Sequence, residues 1–133
     1  MSKSLVLIAD DDVAIRTVIE KKLQRSGFTT RSTGSGQELF SWIEEKMGDL
    51  VITDVVMPEF NGLEALPKIS EIRPNLPVIV ISGQNTVLTA IKANKLGAYE
   101  YLPKPFDLDK LLSIVLKALP SSSSAQKNIN INQ

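Results

Sequence analysis

The chain has no cysteine, which excludes disulfides and thiol chemistry. A reducing cytoplasm fits that usage. It has no histidine either, so the commonest general base and metal ligand is missing. Neither sign of charge is in excess: 15 Lys plus Arg balance 15 Asp plus Glu. A nucleic-acid binder is usually basic, so direct nucleic-acid binding by this segment is not expected. That balance leaves open a DNA-binding domain elsewhere in a longer parent chain. No apolar run approaches the roughly 20 residues of a membrane span. The start, Met1 to Ser4, leads into an apolar stretch that Asp10 interrupts, unlike a secretory signal. The expectation is a cytoplasmic protein without a membrane partner. No internal repeat is visible.

What is present suits one domain. The 133 residues are 43% hydrophobic, enough for a core. Five strand-then-helix units can be read. The strands are Leu5–Ala9, Phe28–Ser32, Leu50–Thr53, Val78–Ile81 and Tyr99–Leu102. The helices follow from apolar stripes and their stops. The first spans Asp12 to Arg25, with Asp12 as its cheapest N-cap. The second spans Gly36 to Lys46. The third starts after Asn61-Gly62 and carries Leu63, Leu66, Ile69 and Ile72. Its Pro67 fits only if it falls in the first turn, where no amide partner is needed. The fourth spans Val87 to Leu96, and the fifth spans Leu108 to Leu119 behind Asp107. From Pro120 the Ser-rich and Asn-rich stretch 120–133 reads as a linker or disordered tail. The folded domain is thus expected over residues 1–119.

Strands one, three and four are almost continuously apolar, as strands covered on both faces are. Alternating β and α units with such strands give an α/β fold: a doubly wound, five-stranded parallel sheet with helices on both faces. The flavodoxin-like order 2-1-3-4-5 has its switch point between strands one and three. Ligands bind there, at the carboxyl ends of the strands. Those ends carry Asp10-Asp11-Asp12, Asp54, Ser82 and Lys104.

Singly, each of these residues has a plain reading. An Asp after a strand is usually a turn or cap residue, and a strand-terminal Ser is usually a turn residue. Lys104 alone would be a solvated lysine, and Tyr101 a boundary aromatic. Together they describe chemistry. Clustered carboxylates repel, and an oxygen-seeking divalent ion such as Mg²⁺ relieves the conflict. A carboxylate can attack phosphorus to form an acyl phosphate. A metal and an ammonium group would neutralise the transferring phosphoryl oxygens.

At this point the chain resembles a known family. Asp10-Asp11, Asp54-Val-Val-Met-Pro58, Ser82-Gly83 and the run from Gly97 to Phe106 are similar to the receiver (CheY-like) domain of two-component response regulators. The likeness covers about residues 4–119. It implies that Asp54 accepts phosphate from a sensor histidine kinase. It implies Mg²⁺ on Asp10, Asp11 and Asp54, with the Val56 carbonyl as a further ligand. Ser82 is then the hydroxyl that follows the phosphate, Lys104 its ammonium partner, and Tyr101 the switch aromatic. The Lys104–Pro105 peptide is expected to be cis. A phosphorylation-dependent homodimer through helix four, strand five and helix five is expected.

Residues Ala9 to Thr17, Gln84-Asn-Thr86 and Tyr101 to Leu108 resemble the nitrogen-regulation (NtrC) class. That class attaches an enhancer-binding ATPase and a DNA-binding domain, and controls nitrogen-related transcription. A stand-alone receiver with a tail is the alternative. The third acid, Asp12, leaves Asp11 and Asp12 as an alternative pair. Two rival functions are open to such a chain. One is a phosphohydrolase of the haloacid dehalogenase type, which needs an acid where Val56 stands. The other is a non-phosphorylated interaction module, against which the retained Asp54, Ser82 and Lys104 count.

Overall fold

The computed structural model describes residues 4–83 and 87–119. In chain order the elements are β1 (Leu5–Ala9), α1 (Val13–Arg25), β2 (Thr29–Thr33), α2 (Gly36–Glu44), β3 (Leu50–Asp54), β4 (Val56–Met57), β5 (Phe60–Asn61), α3 (Gly62–Ile72), β6 (Val78–Ser82), α4 (Val87–Lys95), β7 (Glu100–Pro103) and α5 (Leu108–Ala118). The expected linker, 120–133, lies outside the described residues, as do Gln84, Asn85 and Thr86.

The main sheet runs β2-β1-β3-β6-β7, and every pairing in it is parallel. This is the expected flavodoxin-like order, with β4 and β5 set apart as a small antiparallel hairpin. The cause is visible in the alternation of the strands. Val6, Ile8, Leu50, Ile52, Ile79 and Ile81 share one core with Ile19 and Leu23 of α1 and Leu111, Ile114 and Val115 of α5. Leu7, Ala9, Val51, Val78 and Val80 point to the other face. There they meet Leu39, Trp42 and Ile43 of α2 and Leu66 and Ile69 of α3. Fully burying such a side chain is worth about 1.5–3 kcal/mol. Two apolar faces on one strand therefore demand helices on both sides.

Element ends differ from the sequence reading by one or two residues, helix two for example stopping at Glu44 and not Lys46. Strands two and five start one residue later than expected, at Thr29 and Glu100. The β4–β5 hairpin was not foreseen; two-residue strands carry no periodicity to read, and Glu59 at its tip adopts φ 58°. Pro67 is not in the first turn of α3. Asn61 caps the Leu63 and Glu64 amides, so the helix already begins at Gly62 and Pro67 falls in its second turn. Pro67 is exposed, and the helix-side carbonyl that it leaves without a donor can be hydrated instead.

Candidate phosphoacceptor site

The parallel sheet delivers the chemistry-bearing residues to one rim. Ala9 pairs with Thr53, Asp54 with Ile81, and Ser82 with Pro103. Asp10, Asp54, Ser82 and Lys104 thus all lie at, or one residue beyond, the carboxyl ends of neighbouring strands.

Lys104 is the hub. Its ammonium donates to Asp54 Oδ2 at 3.0 Å and lies 2.9 Å from Asp10 Oδ2. Asp10 is fully buried, and its Oδ1 accepts from the Asp12 amide at 2.9 Å. Its Oδ2 has the Lys104 charge beside it, yet no hydrogen bond of good geometry. One lysine therefore stands against two enclosed carboxylates, with Asp11 exposed beside them. Carboxylate oxygens of Asp10, Asp11 and Asp54 all lie within 4.8 Å of one another. A buried oxygen without a directed donor, in an all-oxygen set, fits a hard divalent cation such as Mg²⁺.

Asp12 does not join this group. Its side chain accepts from the Ala14 and Ile15 amides and caps α1. Asp11 and Asp12 as the clustered pair is therefore not the arrangement found; the acids brought together are Asp10 and Asp11.

Burial raises the Asp54 carboxyl above its ordinary value. The Lys104 bond opposes this, and the Asp10 charge reinforces it. Burial works to lower Lys104, but the carboxylates of Asp10 and Asp54 beside it prevail and its affinity for the proton rises. Asp54 is also more enclosed than a rim position suggests, its side chain being only 9% exposed.

Ser82 is buried, and its carbonyl accepts from the Lys104 amide at 2.7 Å. Tyr101 pairs with Val80, two residues before Ser82, so Ser82 and Tyr101 share one face of the sheet. Tyr101 is half-buried against the core on the α2–α3 side. Val56 stands 51% exposed on β4. The Lys104–Pro105 peptide is cis, as expected.

Two supporting residues escaped the sequence reading. A Cβ at Gly62 would lie 2.8 Å from the Asp54 carbonyl oxygen. Only glycine lets α3 start that close beneath the acceptor. The Asn-Gly pair was a signal for the turn, but not for this approach. Arg16 donates to the Asp10 carbonyl at 2.7 Å. In the sequence it stood only within the NtrC-like run Ala9 to Thr17, with no role of its own.

An enclosed carboxylate, an adjacent acid pair and a bridging lysine thus gather at the switch point of the sheet. Residues 6–116 match the response regulator receiver domain family, and the chain belongs to it. Its relatives include the DNA-binding transcriptional regulator NtrC of Azospirillum brasilense, 54% identical over 92% of this chain and 26% of that protein. NtrC of Bradyrhizobium sp. is 56% identical over 90% of this chain and 25% of that protein. This chain thus spans about a quarter of the length of these curated relatives. It is of the NtrC type of receiver. Among solved structures, the beryllofluoride-activated NtrC4 receiver domain dimer superposes with a TM-score of 0.83 at 34% identity, covering 90% of this chain and 98% of that one.

Among the described residues, no helix is long and apolar enough to cross a membrane.

Proposed function

We propose that this chain takes a phosphoryl group onto Asp54 from a sensor histidine kinase in the cytoplasm and passes the change to an output. The observation that carries this reading is the Asp54 carboxylate held against Lys104, beside the Asp10–Asp11 pair. An Asp54 oxygen attacks phosphorus while the bond from phosphorus to the kinase imidazole breaks. The imidazole keeps the electron pair, and an acyl phosphate results. Lys104 pairs with a phosphoryl oxygen, and Ser82 donates its hydroxyl to another. Asp10, Asp11, Asp54 and the Val56 carbonyl would hold Mg²⁺, which supplies charge neutralisation at the transferring group. The donor needs a surface near Lys104. An apolar groove of about 450 Å³ lined by Ile15, Val18, Lys104, Pro105, Phe106 and Leu108 adjoins the site. It fits the kinase. By its NtrC-type relatives, the output is control of nitrogen-related transcription, exerted through further domains of a longer protein. Labelling by acetyl phosphate with Mg²⁺ tests the reading. Incorporation at Asp54 without turnover of small phosphoesters supports it, and no incorporation overturns it.

Switching couples Ser82 to Tyr101. The hydroxyl turns toward the phosphate, and the ring moves into the space behind it on the same face of the sheet. The surface that would change carries Val87, Leu88, Ile91 and Tyr99, all at least 44% exposed. An apolar patch on α4 and just before β7 suits a self-association face. We expect beryllofluoride to raise the sedimentation coefficient and to shift the resonances around Tyr101. An unchanged coefficient with unmoved Tyr101 resonances would count against the mechanism.

Val56 sets the phosphate lifetime in this proposal. Hydrolysis needs a water in line with the phosphorus–oxygen bond. A β-branched apolar side chain on the hairpin beside Asp54 cannot orient one. Gln84, which could hold a water by its amide, lies outside the described residues. Val56→Asn should speed phosphate loss several-fold, and Val56→Ala less. Decay of the labelled protein in the three forms decides; an Asn variant no faster than the parent removes Val56 as the gate.

A further inference from the structure

Asp10 and Asp11 stand on a short loop between β1 and α1. Its backbone is fixed at two points. The Asp10 amide donates to the Thr33 carbonyl at the end of β2, at 3.1 Å. The Asp10 carbonyl accepts from Arg16 Nη1 at 2.7 Å, from the first turn of α1. The Arg16 amide in turn donates to the Asp12 carbonyl at 3.1 Å. Arg16 thus closes a ring that joins the acid loop to the helix behind it. Space for the guanidinium comes from Gly34, just after β2. A Cβ there would sit 2.8 Å from Arg16 Nη1, while the Asp10 carbonyl and the Asp11 Cα would be at an ordinary 3.7 Å. The only close conflict found for that Cβ is with the guanidinium.

We infer that Arg16 is a positioning residue for the acid pair, and that Gly34 is the notch that admits it. This rests on the reading that Asp10, Asp11 and Asp54 bind Mg²⁺. Arg16 touches no carboxylate of the set. It holds the peptide from which two of them project. Without it, the loop keeps the Asp10 amide bond to Thr33 but loses its tie to the helix at the Asp10 carbonyl, and the carboxylates converge less well on Asp54. Supporting contacts of this kind are worth about 10–100-fold in metal affinity.

Calorimetry with Mg²⁺ alone tests it on the whole chain. Arg16→Ala should bind about tenfold more weakly than the parent. Arg16→Lys, which can still place a donor near the carbonyl, should recover part of the loss. Gly34→Ala should weaken binding in the parent but change nothing when added to Arg16→Ala, because its effect passes through the guanidinium. Thermal unfolding in chelator checks that each variant is folded, and a variant that is not is replaced by Arg16→Lys, judged alone. Affinity within twofold of the parent in folded Arg16→Ala overturns the positioning role. An equal loss from Gly34→Ala in both backgrounds overturns the notch. No Mg²⁺ binding by the parent itself would instead sink the metal reading, and this inference with it.

Discussion

Asp54→Ala is expected to take up no phosphoryl group from acetyl phosphate, while the parent gains one per chain. In the proposed function the carboxylate that Lys104 holds is the acceptor, and alanine leaves no oxygen to attack phosphorus. Asp10 cannot replace it. It is fully buried, and its Oδ1 is committed to the Asp12 amide. Intact-mass measurement reads the outcome, and a full phosphate on the alanine variant would sink the assignment. Asp54→Asn should be equally inert, yet more stable than the parent without metal. The folded Asp54 carboxyl holds its proton more tightly than the ordinary value of 3.8. Its contribution to stability is therefore fully present below that value and is lost as pH rises through the raised folded value. At neutral pH the ionised side chain burdens the metal-free fold. Asparagine removes the charge and keeps an oxygen for Lys104. Its unfolding temperature in chelator should exceed the parent's at neutral pH, and the gap should close toward acid.

Asp11→Ala is expected to abolish most Mg²⁺ binding. Asp11 is the exposed member of the cluster and the one acid of the three without a bond to Lys104 among the contacts described. Its loss removes a donor outright, so the effect should exceed the roughly 10–100-fold cost of losing a supporting residue. It also removes a like charge, so the metal-free variant should unfold no earlier than the parent. Asp12→Ala is the informative contrast. Its side chain caps α1, so it should cost about 0.5–2 kcal/mol of stability and leave Mg²⁺ affinity nearly unchanged. Unchanged affinity in Asp11→Ala, with loss in Asp12→Ala, would reverse the assignment. Calorimetry is the right readout. Trp42 is buried on α2 with the Arg31 guanidinium 4.5 Å over its ring, and its fluorescence should respond poorly to metal.

The sequence by itself determined the sheet and its rim. Strands such as Val78–Ser82 are apolar at every position but the last, and only a sheet covered on both faces buries them. Parallel strands with right-handed crossovers then bring their carboxyl ends to one side. The strand order alone therefore places Asp54, Ser82 and Lys104 together. Tertiary structure decided what one-dimensional spacing cannot express. The sequence already offered Asp12 as the cap of α1, but only the folded chain brings carboxylate oxygens of Asp10 and Asp11 together with that of Asp54. Arg16 and Gly34 lie on different elements and carry no shared motif. They meet because β2 pairs beside β1 with Ala9 opposite Thr33, which sets the chain after β2 against the acid loop. Periodicity reports which face a residue uses. The partner it finds there depends on register and on where each helix begins.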